Sequence, residues 1–481
     1  MSTSRAGAGL GSAVRRGALW SGAFRLVSAL IQLGLSVVLA RLLDPDSFGL
    51  VALAAVVVGL SALLSESGLA AAIVHRPEVT REFLSAVFWM NLCLGFALWG
   101  ALVALSSPIA SLLGDRRVAE LLPLVGLTFC LSFGVAQTGL WQRSLEFRLI
   151  GIVQTVGLAA NGVVSVTLAV LGFEVWALVW GLVAQSLTAS CLTLVMGRFN
   201  PFVRFDRAAL SEIIRYASPL VGFNLFNYGA RNVDNFLVGR VLGTVSLGYY
   251  SRAYNLFVLP QAHLRSVVST VFFAGLASIR GDKVAAAAAW SLGARTMWLL
   301  GCATAAFVAP AGKGLVVLAY GEQWASVGPV LSCLILALPI VLLGQATGAA
   351  FQAFGRTSLQ FWSGLVSSAV FVLFVIVAVP HGLVWTAGSV ALASWIGLAI
   401  PVVVCLRILG LSTFKFVRSL FGPLVGFGTI GVACSIVACV CADSAAVCLL
   451  IQLVLFVCGS VGYAATFERA LLKRLIGRRR R

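Results

Sequence analysis

Five arginines lie within long apolar stretches of a chain in which only 10% of the residues are charged: Arg25, Arg231, Arg252, Arg265 and Arg295. An arginine at the centre of a bilayer costs about 2.5–3.5 kcal/mol on insertion scales, so it normally faces a partner or a water-filled cavity instead of lipid. A cavity lined by cationic groups favours an anionic ligand. The five arginines therefore predict a cationic interior that receives an anionic passenger.

Polar stripes on two of the apolar stretches surround these arginines. At 100° per residue, the face of the first stretch that carries Arg25 also carries Ser21, Ser28, Gln32 and Ser36. Around Arg231, less than half of the helix circumference holds all the polar residues, which are Asn224, Asn227, Tyr228, Arg231, Asn232, Asp234 and Asn235. We expect the two stripes to face each other across a central cleft.

The five arginines differ in how deeply they lie within the predicted spans. Arg231 and Arg295 lie too far from the span ends, at a rise of about 1.5 Å per residue, for snorkelling to a headgroup. Arg25 and Arg252 lie nearer to span ends, where snorkelling is an equal alternative. Arg265 follows Pro260, which should break its helix, and is expected near the cytoplasmic mouth. The predicted substrate-binding residues are Arg25, Gln32, Asn224, Asn227, Arg231, Arg252, Arg265 and Arg295.

Two acids lie in apolar stretches, Glu66 and Asp234. Asp234 stands three residues after Arg231 and is placed to neutralise it. Both acids are candidates for binding a coupling ion, a proton or sodium, as an alternative to a structural role. No cofactor is expected, because the cysteines lack metal-ligand spacing and the glycine-rich amino end lacks the lysine of a phosphate loop.

The composition is that of an integral membrane protein. Apolar residues make up 60% of it, and the mean hydropathy is +1.02. At about 20 residues per span, the sequence predicts an all-α, polytopic membrane helix bundle. Its fourteen spans lie near residues 18–40, 48–72, 83–105, 118–141, 150–171, 175–196, 216–238, 246–273, 286–309, 327–350, 359–380, 383–406, 419–441 and 445–467.

Basic residues concentrate on one side of this bundle. If the amino terminus is cytoplasmic, 24 of the 34 Lys and Arg fall in inner segments and five in outer loops. The positive-inside rule therefore predicts that both termini are cytoplasmic. The net charge of +18 then reflects topology, and Arg478–Arg481 are expected beside anionic lipids, with no nucleic-acid partner. The first apolar stretch is too long for a cleaved signal peptide.

An internal repeat divides the chain. Four residues recur 199 positions later: Arg41, Leu43, Ser47 and Gly49 correspond to Arg240, Leu242, Ser246 and Gly248. Six-helix repeats share one orientation, so they are related by an axis along the membrane normal. The predicted parts are an N-lobe (1–196), a cytoplasmic linker helix (197–215), a C-lobe (216–408), two further helices (419–467) and a basic cytoplasmic tail (468–481).

Four segments together resemble a known family. They are residues 17–53, Gln142–Arg148, Leu247–Tyr254 and Tyr320–Trp324. In order and spacing they are similar to Wzx-type polysaccharide exporters of the colanic-acid-exporter-like subgroup. These belong to the multidrug/oligosaccharidyl-lipid/polysaccharide exporter superfamily. The similarity covers residues 15–410.

The resemblance implies a flippase of the bacterial cytoplasmic membrane. Its substrate would be an undecaprenyl-pyrophosphate-linked oligosaccharide, and a polymerase and other assembly proteins would be its partners. The planar fork of arginine suits a pyrophosphate, and rocking of the lobes would give alternating access.

Three alternatives to this function remain. A peptidoglycan-precursor flippase would need the same cationic cavity, so charge alone does not distinguish it. A multidrug or cation exporter should have an acidic cavity, and a membrane glycosyltransferase should have a long outer loop. Asp44 and Asp46 resemble the paired acids of such transferases, but their loop is short, so they are expected to cap the second helix.

Overall fold

The computed structural model describes residues 3–66, 73, 76, 79–197, 224–225, 228–267, 282–440 and 445–467. Its helices are α1 (Thr3–Leu42), α2 (Pro45–Glu66), α3 (Arg81–Leu113), α4a (Val118–Cys130), α4b (Val135–Arg143), α5 (Phe147–Val170), α6 (Val175–Met196), α7 (228–242), α8 (Thr244–Val267), α9 (Lys283–Tyr320), α10a (Val327–Ile335), α10b (Leu338–Ala353), α11 (Thr357–Ala378), α12 (Leu383–Ile408), α13 (Thr413–Val440) and α14 (Ala445–Phe467). Each of the fourteen predicted spans overlaps one helix or one broken pair.

The all-α membrane architecture predicted from the sequence is confirmed. Within the described ranges, nine helices are long and apolar enough to cross a membrane, and α4a–α4b and α10a–α10b each form a bent apolar pair. Helix α1 begins at Thr3, well before the predicted start of the first span. The predicted linker helix after Gly197 and the basic tail 468–481 lie outside the described residues.

Equivalent helices of the two halves begin and bend in the same way. Thr80 caps α3 by accepting a hydrogen bond from the amide of Phe83, and Asp282, 202 positions later, caps α9 by accepting from two amides of its first turn. Pro108 in α3 and Pro310 in α9 are also 202 positions apart. These shared features support the repeat that the sequence predicts.

The fourth helix of each half is broken. The axis bends by 49° between α4a and α4b and by 46° between α10a and α10b. Gly134 precedes α4b and Pro339 lies in the first turn of α10b, and both residue types favour such an interruption. Interrupted spans at corresponding positions of two halves are the best pointer to a transporter binding site.

Helix α8 corrects one prediction, because it continues through Pro260 to Val267 without a break. A proline removes one backbone hydrogen bond and displaces a carbonyl in the preceding turn. The carbonyl that loses its helical partner is that of Leu256, four residues before Pro260. Next to it, the side-chain amide of Gln261 donates to the carbonyl oxygen of Phe257 at 3.3 Å. Membrane helices tolerate proline because neighbouring helices, side chains and local adjustments of the helix accommodate the freed backbone group.

Contacts within the chain define two compact units, Met1–Gly248 and Tyr249–Arg481. The first unit extends beyond the predicted N-lobe because α7 packs on α2. The hydroxyl of Tyr228 donates to the carbonyl oxygen of Ala55 at 2.9 Å, and Gly239 lies directly against Leu53. In the second unit, α9 packs against α10a, α10b, α13 and α14.

Candidate functional site

The polar stripe of α1 lies beside the face that packs on α5. Ser28 shares a hydrogen bond of 3.1 Å with the hydroxyl of Thr155, and Phe24 lies over Gly151. Arg25 and Gln32 remain exposed outside this contact. Helix packing therefore uses one edge of the predicted stripe and leaves the guanidinium and the amide accessible.

The polar face of α7 contains one exposed cation and one buried acid. Arg231 is exposed and makes no hydrogen bond or ion pair within the described part of the chain. Asp234 is fully buried, and its carboxylate accepts a hydrogen bond of 2.9 Å from the backbone N–H of Asn235. No ion pair joins Arg231 to Asp234 in the described part of the chain, so the expected neutralisation is not seen.

The other predicted site residues differ in their surroundings. Arg252 on α8 and Arg295 on α9 are half-buried, as is Asn224. Asn227 lies outside the described residues. Arg265 and Glu66 lie near the ends of α8 and α2, and their side chains are outside the described set.

Two of the sequence segments that carry the family resemblance meet in the second unit. The ring of Tyr249 lies edge-on to Trp324 with centroids 6.0 Å apart, and Tyr320 approaches the same indole at 6.1 Å. Trp324 is fully buried. Aromatic contacts between the segments Leu247–Tyr254 and Tyr320–Trp324 therefore pack α8 against the end of α9. The aromatic residues of both segments reflect this packing.

Asp44 and Asp46 divide the capping role that the sequence predicts for both. The carboxylate of Asp44 accepts a hydrogen bond of 3.0 Å from the amide of Ser47 and so caps α2. The carboxylate of Asp46 instead turns towards Arg117, in the connection between α3 and α4a. Only the Asp44 part of the prediction is therefore confirmed.

Arg117 joins three connections at the end of the bundle that the charge pattern predicts to be periplasmic. Its guanidinium donates to Asp46 at 2.5 Å and to Asp115 at 2.7 Å, and it approaches the hydroxyl of Thr244 at 3.3 Å. Thr244 also donates to Asp46. The hydrogen bond from Arg117 holds the pKa of Asp115 below its usual value. The cluster is therefore ionised at neutral pH.

Two glycines related by the repeat bring α2 and α8 into backbone contact beside this cluster. A Cβ atom at Gly49 would lie 1.8 Å from the carbonyl oxygen of Thr244, and one at Gly248 would lie 1.9 Å from that of Pro45. Gly49 and Gly248 are 199 positions apart, and so are Pro45 and Thr244, so the contact is symmetric under the repeat. Small residues four positions apart allow such close crossings of membrane helices.

The break in α4 opens a cavity of about 580 Å³ within the first unit. Helices α2, α4a, α4b, α5 and α6 form its wall. Its polar lining includes Thr128, Ser132, Gln142, Gln154, Gln185 and Ser186, and none of its described lining residues is ionisable. Sequence reasoning missed this cavity. The available signal was the interruption of the fourth helix by Gly134 at the position where Pro339 interrupts its repeat partner.

Residues 38–329 match the model of a family described as polysaccharide biosynthesis protein. The chain belongs to this family. The Wzx-type resemblance that the sequence motifs predicted is confirmed. The lipopolysaccharide biosynthesis protein WzxC of Escherichia coli (strain K12) is 27% identical over 370 residues, which are 75% of this chain and 74% of that protein. The succinoglycan biosynthesis transport protein ExoT of Rhizobium meliloti (strain 1021) is 28% identical over 338 residues, 68% and 67% of the two chains.

Solved structures share the fold of this family member. The lipid II flippase MurJ in an inward closed conformation gives a TM-score of 0.74 at 13% identity, covering 94% of this chain and all of that one. An inward-facing multidrug resistance transporter of the MATE family gives 0.63 at 16% identity, covering 80% and 94%. At these identities the likeness concerns the fold alone.

Proposed function

We propose that this family member is a secondary transporter, and not an enzyme, that flips undecaprenyl-pyrophosphate-linked oligosaccharide repeat units for surface polysaccharide synthesis. It acts in the bacterial cytoplasmic membrane with both termini cytoplasmic. The lipid tail stays in the bilayer while the headgroup crosses. Its partners are a polymerase and other assembly proteins, together with anionic membrane lipids.

The single observation that carries this proposal is the environment of Arg231. Its guanidinium is exposed and has no protein partner among the described residues, although Arg231 falls within a predicted membrane span of a polysaccharide biosynthesis family member. Such a cation is costly in a membrane unless it meets water or an anion. A pyrophosphate provides that anion and accepts the paired hydrogen bonds of the guanidinium fork.

Alternating access has a structural basis in the repeat. The crossing of α2 and α8 at Gly49 and Gly248 and the Arg117 cluster together close one end of these helices. The broken fourth helices supply bends at corresponding positions. We assign the crossing to the periplasmic gate, and the buried carboxylate of Asp234 is the coupling-ion candidate in the described chain, for a proton or sodium.

The test replaces Arg231 by Ala and by Lys in a strain that lacks its own exporter, with surface polysaccharide measured per unit of membrane-inserted protein. Loss of charge-assisted hydrogen bonds, each about 1.5–3 kcal/mol, should lower export by roughly tenfold or more for Arg231→Ala. Lys keeps the charge but loses the fork, so Arg231→Lys should give an intermediate result.

The matched control is Arg418→Ala, which removes an exposed arginine near the start of α13. Its export should match that of the wild type. Wild-type export by Arg231→Ala at normal abundance would refute the proposed role of Arg231. Rescue of a strain depleted of its peptidoglycan-precursor flippase, without restored polysaccharide, would instead favour the precursor as substrate.

A further inference from the structure

The backbone at the α4 break is already satisfied by protein groups. The hydroxyl of Ser190 donates to the carbonyl oxygen of Leu131, and the side-chain amide of Asn91 donates to that of Ser132 at 2.5 Å. These carbonyls therefore have protein partners. Any ligand of the adjacent cavity must be recognised mainly by side chains.

Three polar side chains of the cavity are unpaired within the described part of the chain. The amides of Gln142 and Gln154 and the hydroxyl of Ser186 make no hydrogen bond. A fourth group, the amide of Gln185, is held in place because its oxygen accepts from Asn161 at 2.9 Å. The free groups offer both donors and acceptors to a ligand.

The chemistry of the lining selects a neutral, polyhydroxylated ligand. An anion such as pyrophosphate needs cations, and a metal ion needs a denser oxygen or carboxylate shell, but no ionisable side chain lines this cavity among the described residues. Amides and hydroxyls pair with sugar hydroxyls, and Trp141 adds an aromatic surface. A volume of about 580 Å³ lies within the usual range of small-molecule pockets, about 300–1,000 Å³.

The second half of the repeat satisfies its break differently. Trp395 lies 205 positions after Ser190, and its indole N–H donates at 3.0 Å to the carbonyl oxygen of Leu336, which lies 205 positions after Leu131. The same backbone group is therefore capped by a hydroxyl in one half and by a large indole in the other. A serine at position 190 leaves room that a tryptophan would take.

We propose that the cavity at the α4 break is a subsite for a neutral sugar ring of the transported headgroup. The proposal rests on the proposed function and deepens it. The arginines bind the pyrophosphate, whereas the cavity of the first unit recognises carbohydrate. Two of the cavity's lining residues, Gln142 and Ile150, lie near the connection between α4b and α5, at the end of these helices predicted to be cytoplasmic, where a new substrate would arrive.

The test is to fill the cavity while keeping a hydrogen bond to the carbonyl oxygen of Leu131. Ser190→Trp copies the arrangement of the second half, so the indole N–H is expected to replace the hydroxyl on Leu131. Ser190→Ala is the matched control, because it removes the hydrogen bond to Leu131 and does not fill the cavity. Binding is measured on the purified full-length chain by microscale thermophoresis with two probes. One is undecaprenyl pyrophosphate, and the other is the oligosaccharide-bearing lipid extracted from the native host.

Two or three hydrogen bonds to the sugar should each raise the affinity about a few-fold. The wild type should therefore bind the oligosaccharide lipid roughly tenfold or more tightly than undecaprenyl pyrophosphate. Ser190→Trp should abolish this preference and leave the affinity for undecaprenyl pyrophosphate unchanged. Ser190→Ala should retain it. A second variant, Gln154→Leu, should reduce the preference severalfold, since it removes an unpaired amide at similar size.

Retention of the preference by both Ser190→Trp and Gln154→Leu would overturn the sugar subsite while leaving the proposed function intact. An equal loss in Ser190→Trp and Ser190→Ala would also overturn it, because the loss would then not depend on filling the cavity. Failure of the wild type to bind either lipid would overturn the proposed function itself, and with it the subsite.

Discussion

The crossing of α2 and α8 predicts that two glycines 199 positions apart are energetically equivalent. A Cβ atom at Gly49 or Gly248 would meet a backbone oxygen at 1.8 or 1.9 Å. Because carbon and oxygen atoms approach to about 3.3 Å, the helices would have to separate by roughly 1.5 Å. Overpacking costs about 1–3 kcal/mol, and the gain from replacing glycine in a helix offsets about 0.5–1 kcal/mol. Each alanine should therefore destabilise the protein by about 1–2 kcal/mol.

The assay is thermal unfolding of the purified chain, followed by labelling of buried cysteines such as Cys302 and Cys405 as they become exposed. Gly49→Ala and Gly248→Ala should lower the midpoint by similar amounts. The double variant should cost less than their sum, since the first substitution already separates the helices. Gly100→Ala is the control, because no atom lies within 4 Å of its added Cβ.

Midpoints of Gly49→Ala and Gly248→Ala equal to that of Gly100→Ala would refute the crossing. Clearly unequal effects of the two substitutions would refute its symmetry. Full additivity in the double variant would show that the two glycines act at separate contacts.

Three further predictions concern the acids and the aromatic cluster. Because the pKa of Asp115 is lowered in the folded state, the stability that its contact with Arg117 contributes is present above its ordinary pKa and lost only as pH falls through the lowered value. The destabilisation by Arg117→Ala, at most about 1 kcal/mol for so exposed a pair, should therefore be constant from pH 5 to 8 in thermal unfolding, and a steep change there would contradict the assignment. Asp234→Asn preserves the shape of this buried side chain and replaces its carboxylate by an amide, so polysaccharide export should fall at normal protein abundance if this carboxylate binds the coupling ion. Unchanged export under an imposed ion gradient would exclude it. Trp324→Ala should cost about 3–5 kcal/mol in unfolding experiments, because the indole is fully buried, whereas a cost below 1 kcal/mol would show that the cluster is not packed.

The helices and the repeat were accessible from the sequence because both depend on local quantities. Span length and hydropathy located all fourteen helices, and a fixed offset related Gly49 to Gly248 before any contact was known. The bend of the fourth helices and the continuity of α8 through Pro260 were not accessible in this way. They depend on how the surrounding helices pack against each interruption, and that packing involves residues far apart in the chain.

The sequence by itself determined the membrane architecture, the two similar halves and the presence of costly cations within apolar helices. Only the tertiary structure decided which polar groups meet. It buried Asp234 and left Arg231 exposed, and it placed Ser190 at the α4 break where Trp395 stands in the second half. Helical periodicity specifies the direction of a side chain relative to its own axis. The position of the neighbouring helix, fixed by packing between residues far apart in the chain, determines whether that direction leads to a partner, a cavity or the surface.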